Sequence, residues 1–408
     1  MKKNIMHTKY IIILLIFTGF TSCNSPEDVL RDNNIDIETE VVLPALTAGE
    51  ADFSKYVSVG NSLTTGYSDG TLFLATQQSS YPKLLSDKFA LIGGGDFTQP
   101  LVNDNFGGLA LNGNRIPGFN PRFAVGTDDC SGSPTPKGLE DLIGSVTVTT
   151  DILLNNPTGP FNNMGVPGAK SFHLLAPGYG NISNLPLANP WFVRMTGSTP
   201  NSSVIELSMA QAPSFFSLWI GNNDVLGYAT NGGDGSDPIT PVDGPPGVGF
   251  NQTYAALIAT LTSGGAKGVV ANIPYVTDIP HFTTIAWNVL DPTDECQAAL
   301  AAQIGALNAQ LYGPLKGIFS AYGEPDRIDL LSDSGPNPLL IHDETATDRS
   351  AEIAAALTPI LGAPTAGAFG AVFGKSRQAT PDDLIVLSAG SLIAQTVPGV
   401  PAPINVNG

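Results

Sequence analysis

Runs of apolar residues that end at glycine or proline mark the strand candidates of this chain. The run Tyr56–Val59 stops at Gly60, and the run Phe215–Ile220 is continuous enough to predict a strand buried on both faces. A third run, Gly268–Pro274, follows a helical segment and predicts a parallel neighbour, because a strand, a helix and a strand form a right-handed crossover. Weaker strand candidates lie at Arg327–Leu331 and Asp382–Leu387.

Apolar residues at helical spacing mark the helices. Tyr81–Ala90 places Leu84, Leu85 and Phe89 on the face predicted to pack on a sheet. The longest pattern, Ala298–Ala321, ends at Gly323 and Pro325 and predicts a packing helix. Shorter helices are predicted at Ser202–Gln211, Thr253–Leu261 and Ala351–Leu361. Alternation of strands and helices predicts an α/β fold, which we assign as a three-layer α/β/α sandwich with a flavodoxin-like parallel sheet.

Two stretches rich in Gly, Pro, Asn and Asp interrupt this pattern. The span of about 93–180 is too long for an ordinary connection and predicts a folded insertion that borders the functional site. The second, 231–249, is acidic enough to suggest calcium, but its spacing does not fit the EF-hand pattern. We therefore expect one elaborated domain at 51–408, and no metal site.

The first 50 residues have the pattern of an export signal followed by a polar tether. Lysines precede an apolar run that ends in small residues before Cys23, and this run is too short to span a bilayer. The pattern resembles a bacterial lipoprotein signal at 1–22, with lipid on Cys23 and a polar tether at 23–50. A plain secretory signal is the alternative. We expect a lipid-anchored protein of the bacterial cell envelope, at the outer membrane or cell surface.

Composition narrows the possible partners. The formal net charge is −18, with 18 Lys and Arg against 36 Asp and Glu, which argues against nucleic acid and anionic lipid surfaces. Beyond Cys23, only Cys130 and Cys296 remain. In an oxidising compartment they could form one disulfide; two buried thiols are the alternative that we favour, and their spacing does not indicate a metal site.

Three short motifs carry the candidate chemistry. Gly60-Asn61-Ser62-Leu63 follows the first strand, Asn163-Met164-Gly165-Val166-Pro167-Gly168 forms a glycine loop, and Gly221-Asn222-Asn223-Asp224 follows the strand Phe215–Ile220. In this order they resemble the first three motif blocks of the SGNH, or GDSL, hydrolases, although Asn61 stands where that family usually has Asp. The resemblance implies that Ser62 is the nucleophile and that the Gly168 N–H and the Asn223 amide stabilise an oxyanion.

These residue types suit acyl transfer, which needs a hydroxyl nucleophile and donors aimed at the developing charge on a carbonyl oxygen. Glycine offers an unobstructed backbone N–H, and asparagine offers an amide that stays neutral at every relevant pH. No metal or organic cofactor is required. Asp224 is predicted to fix the turn after Asn223, and Trp219 is predicted to be a core residue.

The general base is the weak point of this interpretation. The family's last block is an Asp-x-x-His near the C-terminus, and no histidine follows His342. Asp278 and His281 match Asp-x-x-His in letters but at the wrong place in the chain, so a surface histidine is the alternative reading. His173 has no evident carboxylate partner, and His342 lies in an acidic turn. Our hypothesis is that the 408 residues are part of a longer esterase.

The function expected from the sequence is therefore an exported serine ester hydrolase that forms an acyl-enzyme on Ser62. Its substrate would be an acylated glycan, a lipid or a small ester. The alternative is a non-catalytic surface lipoprotein that keeps the same fold and binds a glycan or lipid. An active serine reacts covalently with a fluorophosphonate, whereas a binding relic does not, so labelling distinguishes the two.

Overall fold

The structure is a computed structural model that describes residues 45–387 and 389, apart from 129 and 131–133. The signal, Cys23 and all but the last six residues of the tether lie outside the described residues. The described residues from Ala48 onward form one compact unit. Its strands are β1 Tyr56–Gly60, β2 Ala110–Leu111, β3 Asn114–Arg115, β4 Phe123–Thr127, β5 Pro134–Gly138, β6 Asn163–Gly165, β7 Phe215–Trp219, β8 Lys267–Val270, β9 Leu340–His342 and β10 Ser376–Gln378.

The described α-helices are α1 Ser62–Thr65, α2 Leu74–Gln78, α3 Tyr81–Ala90, α4 Leu139–Ile143, α5 Pro190–Val193, α6 Val204–Met209, α7 Asn222–Thr230, α8 Phe250–Thr262, α9 Pro280–Thr283, α10 Ala298–Leu307, α11 Gly313–Ala321, α12 Ser350–Leu361 and α13 Ala363–Phe373. Short 3-10 helices lie at Ser171–Leu175, Ile182–Asn184, Val276–Asp278 and Glu295–Gln297, and a π-helical turn at Asn308–Tyr312 joins α10 to α11.

A four-stranded parallel sheet in the order β6-β1-β7-β8 organises the compact unit. Val59 pairs with Met164 on one side and with Leu218 on the other, so β1 is an inner strand. All five residues of β1 are buried, and so are the first four of β7, as their apolar runs predict. The predicted parallel α/β arrangement is therefore confirmed at this level.

Helices pack on both faces of the sheet. Val57 and Val59 point into a core shared with helices α6 and α8, whereas Tyr56 points to the opposite face, toward α3. Phe89 of α3 stacks on Phe53 with ring centroids 4.0 Å apart and meets the Tyr56 ring edge-on at 5.1 Å. Strict alternation along β1 thus divides its side chains between the two cores.

Helix α3 has its predicted bounds, but one residue of its predicted packing face is wrong. Leu84 is 55% exposed, and the buried residues are Pro82 and Ser86. At 100° per residue, Leu84 lies on the side opposite Pro82, Ser86 and Phe89. The aromatic cluster at Phe89 determines which side of the helix faces the sheet, and Leu84 therefore faces solvent.

The strand predicted at Gly268–Pro274 pairs parallel with β7, as expected, but it is shorter than predicted. Strand β8 spans Lys267–Val270, and all four of its residues are exposed. It pairs with β7 alone among the described strands, which leaves its outer edge open. Val269 and Val270 are 52% and 54% exposed because no described element covers them.

Helices α10 and α11 confirm the long helix predicted at Ala298–Ala321, and α12 confirms the one at Ala351–Leu361. With α13, they enclose a second apolar core that contains Leu311, Phe319 and Phe373. These helices thus pack mainly against one another, and β9 pairs antiparallel with β10 beside them.

Arg327–Leu331 and Asp382–Leu387 are not strands, contrary to expectation. Side chains satisfy the backbone of the first segment: Asp329 N donates to Gln378 Oε1 and Leu331 N to Asn308 Oδ1, at 2.7 and 2.8 Å. In the second segment, Ile385 forms an isolated bridge to Ile285. Apolar composition alone did not distinguish these partly buried coils from strands.

The span of about 93–180 contains two short hairpins, β2–β3 and β4–β5, and helix α4. It also contains β6, which belongs to the central sheet, so the insertion is divided there. Near the tip of the β4–β5 hairpin, Cys130 forms a disulfide with Cys296. The preference for two buried thiols was therefore wrong.

Candidate functional site

The three predicted loops leave the sheet at the same edge. Strands β6, β1 and β7 are adjacent and parallel, so their carboxyl ends at Gly165, Gly60 and Trp219 lie side by side. Ligands of open parallel sheets bind at this edge. The loop after β6 begins with a hydrogen bond from Val166 N to Gly60 O at 2.9 Å, which joins the first two loops directly.

Gly60 allows the chain to turn directly into the helix that begins at Ser62. A Cβ atom on Gly60 would lie 2.1 Å from Thr64 Oγ1 and 2.4 Å from the Trp219 carbonyl oxygen, so glycine is required there. Asn61 caps the helix: its Oδ1 accepts from Leu63 N at 3.1 Å. The Ser62 side chain is therefore presented at the first position of α1, just past the end of β1.

The Ser62 hydroxyl is not engaged by the described part of the chain. Its backbone carbonyl accepts from Tyr67 N and from Thr65 Oγ1, but its Oγ has no hydrogen-bond partner among the described residues. Ser62 itself is half-buried. A half-buried hydroxyl without a partner is free to contact a ligand at this edge.

A tight turn holds Gly168. Ala169 N donates to Val166 O at 3.1 Å, Pro167 occupies the second position and Gly168 the third, with φ of 79°. This is the pattern of a type II turn, which requires positive φ at its third residue. Gly168 is exposed, and its N–H donates to no described residue. The turn thus offers a free backbone donor.

Asn223 lies in the first turn of α7 and contacts the same turn. Its Nδ2 donates to Ala169 O at 2.9 Å. An amide NH2 has two hydrogens, and the second has no acceptor among the described residues. The hydrogen bond to Ala169 therefore orients the Asn223 amide and leaves one donor free.

Asp224 ties the second and third loops together. Its buried carboxylate accepts from Ser171 N at 2.8 Å and from Ser171 Oγ at 2.6 Å. The first loop is linked as well, since Asn61 Nδ2 donates to Asn222 Oδ1 at 3.4 Å. Asp224 thus has a structural role, as predicted, but it acts across the site as well as within its own turn.

Buried hydroxyl groups lie beneath helix α1. Tyr56 Oη lies 2.7 Å from Ser217 Oγ, and Tyr81 Oη lies 3.4 Å from both Ser217 Oγ and Thr64 Oγ1. Burial raises the pKa of both tyrosines, so the phenols stay protonated. Trp219 is half-buried with its ring 5.6 Å from that of Tyr81. These groups link α1 to the sheet and to α3.

The structure does not form the predicted pair of Asp278 and His281. Asp278 ends a 3-10 helix and is exposed, and no ion pair joins it to His281. His281 lies in α9, where its Nε2 is buried and has no hydrogen-bond partner in the described part of the chain. Ser62 does not donate to it either. A triad-like arrangement of these residues is therefore not formed.

His173 is held in a form that cannot act as a base toward Ser62. Its Nδ1 accepts from Lys170 N at 3.0 Å, so in the neutral ring the proton resides on Nε2. The ring stacks on Tyr179 at 4.5 Å, and burial lowers the pKa of His173, which favours this neutral form. His342 lies on β9, where it pairs with Ser376 of β10. It belongs to none of the three loops that follow β1, β6 and β7.

The acidic loop 231–249 packs beside the site. Lys170 forms an ion pair with Asp237 at 2.5 Å, and Thr240 N donates to Asp224 O at 2.9 Å. Among the described residues, no group of three or more His, Cys, Asp or Glu side chains could hold a metal ion. These contacts attach the loop to Lys170, two residues after Gly168, and to the first turn of α7.

A cavity of about 760 Å³ lies at the other end of β1, lined by Lys55, Val57, Asn162 and Gln211, among others. It is on the side opposite the carboxyl edge.

No described helix is long and apolar enough to cross a membrane. Comparison of the chain with known protein families, with curated proteins and with solved structures gave no match.

Proposed function

We propose that this protein is a serine ester hydrolase of SGNH type, with a flavodoxin-like sheet and Ser62 as its nucleophile. The observation that supports the proposal is the linkage of the three loops at one edge of a parallel sheet. An unengaged hydroxyl, a free Gly168 N–H and a partly free Asn223 amide come from three adjacent strand ends. Such a set suits acyl transfer better than any other described cluster.

In the proposed reaction, Ser62 Oγ attacks the ester carbonyl carbon, and the carbonyl oxygen becomes an oxyanion. The Gly168 N–H and the second hydrogen of the Asn223 amide donate to this oxyanion. The C–O bond to the alcohol then breaks, the alcohol leaves with the proton that Ser62 lost, and an acyl-enzyme remains on Ser62. Water attacks the acyl carbon, the bond to Ser62 Oγ breaks, and the carboxylic acid is released as the serine hydroxyl is restored.

Deprotonation of Ser62 needs a base, and no described histidine is hydrogen-bonded to it. The same observation favours the second candidate function, a non-catalytic lipoprotein that binds a glycan or lipid at this edge. Fluorophosphonate labelling distinguishes the two functions. We expect the wild-type chain to be labelled and Ser62→Ala to remain unlabelled. Ser68→Ala is the matched control, since the hydrogen bonds between Ser68 and Thr71 are made by the backbone, which the substitution keeps.

Ester turnover tests the oxyanion donors. Asn223→Ala should lower kcat/KM for a p-nitrophenyl ester about 100-fold to 1,000-fold, the usual effect of losing one such donor. Asn231→Ala is the control at the other end of α7, where Asn231 Nδ2 donates to Ser236 Oγ at 3.0 Å. Equal activities of the two variants would refute the assignment. His281→Ala with unchanged turnover would remove His281 as a base.

We further propose that Cys23 carries a lipid anchor and that the protein is exported to the bacterial cell envelope. The disulfide between Cys130 and Cys296 supports this, because disulfides persist in oxidising compartments outside the cytosol. Incorporation of an alkyne-labelled fatty acid into the wild-type protein, and its loss in Cys23→Ser, would test the anchor. Incorporation that persists in Cys23→Ser would contradict it.

A further inference from the structure

The donor at Gly168 depends on the orientation of one peptide plane. Type I and type II turns share their end residues and differ by rotation of the central peptide through about 180°. In the Val166–Ala169 turn, that central peptide joins Pro167 to Gly168. Its rotation would reverse the direction of the Gly168 N–H while leaving the hydrogen bond from Ala169 N to Val166 O in place.

Asn189 holds this peptide by its other end. Its Nδ2 donates to Pro167 O at 2.8 Å, and Pro167 O belongs to the same peptide unit as the Gly168 N–H. In a trans peptide, the carbonyl and the N–H point in opposite directions. Fixing the oxygen toward Asn189 therefore directs the Gly168 N–H away from Asn189.

The Asn189 amide is itself immobilised, because all four of its hydrogen-bonding positions are filled. Nδ2 also donates to Tyr179 Oη at 3.0 Å. Oδ1 accepts from Trp191 N and Phe192 N at 3.0 and 3.2 Å and thereby caps α5. Burial raises the pKa of Tyr179 to about 12, so its hydroxyl stays neutral at physiological pH. An amide with four bonds cannot rotate without breaking them.

We propose that Asn189 is the positioning residue of the oxyanion site, which holds the Pro167–Gly168 peptide in the orientation that presents the Gly168 N–H to substrate. The proposal rests on the proposed function, because it assigns a purpose to a donor that acts only in acyl transfer. Asn223 fixes the end of the same turn at Ala169, and Asn189 fixes its middle.

Asn189→Asp separates positioning from capping. Aspartate keeps an oxygen that can accept from Trp191 N and Phe192 N, but it cannot donate to Pro167 O. We expect kcat for a p-nitrophenyl ester to fall between roughly 10-fold and 100-fold, the upper figure being the least that loss of a whole donor costs, with little change in KM. The matched control is Asn184→Asp, because Asn184 Nδ2 donates to Gly178 O at 2.9 Å in a separate glycine turn.

A thionoester substrate provides a readout that general loosening of the fold would not change. Sulfur accepts hydrogen bonds poorly, so loss of an oxyanion donor slows the oxygen ester more than the thionoester. We expect the ratio of the oxygen-ester rate to the thionoester rate to fall in Asn189→Asp and to stay at the wild-type value in Asn184→Asp. If Asn189→Asp does not fold, Tyr179→Phe provides the test, with a roughly 3-fold fall in kcat from loss of one neutral hydrogen bond and a lower rate ratio.

The outcomes are distinguishable. Turnover that depends on Ser62, with Asn189→Asp equal to Asn184→Asp in kcat and in the rate ratio, would overturn the positioning role and leave the proposed function in place. The same holds if Tyr179→Phe, used as the substitute, keeps the wild-type ratio. A wild-type chain that neither hydrolyses esters nor reacts with a fluorophosphonate would overturn both proposals.

Discussion

The disulfide between Cys130 and Cys296 should contribute a large part of the stability of this protein. It joins residues 166 positions apart and links the tip of the β4–β5 hairpin to the 3-10 helix that precedes α10. A cross-link restricts the unfolded chain, and the restriction grows with the logarithm of the loop length. For a separation of 166, the chain-entropy relation gives about 5 kcal/mol at 25 °C.

Urea unfolding of three samples tests this value: the oxidised protein, the protein reduced with dithiothreitol, and the double variant Cys130→Ala/Cys296→Ala. We expect the free energy of unfolding to be about 2–5 kcal/mol lower in the reduced and double-variant proteins, because measured disulfide contributions commonly lie below the entropic figure. The unfolding midpoint should move to lower urea. Dithiothreitol added to the double variant is the control and should have no effect.

Two results would refute this reasoning. One is an unfolding midpoint that does not change on reduction. The other is a thiol count above one in the denatured, unreduced protein, since the sequence has three cysteines and the bond uses two of them. Either result would return Cys130 and Cys296 to the class of free thiols.

Two further predictions concern buried and paired carboxylates. Asp224→Ala should lower the free energy of unfolding by about 3–6 kcal/mol in urea titrations, because it removes two charge-assisted hydrogen bonds and leaves buried Ser171 groups unpaired. Asp237→Ala is the comparison, since the Asp237 carboxylate is partly exposed. A loss in Asp224→Ala no larger than that in Asp237→Ala would contradict this prediction. The Arg377 guanidinium lowers the pKa of Asp383 to about 2, so its stabilising contribution is complete above the ordinary pKa near 4 and disappears as pH falls through about 2. Urea midpoints measured from pH 5 to pH 2 should fall less steeply in Arg377→Ala, and identical slopes would argue against the pair.

Local patterns predicted most of the regular elements because each pattern reports burial on one side of a short segment. The bounds of α3 were recovered in full, and the run at Phe215–Ile220 corresponds to a strand that is buried as expected. Helix α13 was missed because Ala and Gly dominate its sequence, so its periodicity is weak. Arg327–Leu331 was assigned wrongly because apolar composition does not separate a partly buried coil from a strand.

In the candidate site as well, residues in local motifs were predicted, whereas a residue that acts through a distant contact was not. Gly168 and Asn223 were predicted from their motifs, and the structure connects them through Ala169. Asn189 was missed, although an Asn directly before a Pro is a recognisable helix cap at α5. Its hydrogen bond to Pro167 spans 22 positions and has no local signature.

The sequence by itself determined most of the periodic elements, the turn at Gly60 and the excess of negative charge. These properties depend on a few neighbouring residues and on the geometry of one turn or one helix. Only the tertiary structure decided that β6 and β7 flank β1, that Cys130 meets Cys296, and that Asn189 reaches Pro167. Such contacts follow from the order of strands in the sheet, which no short stretch of chain encodes.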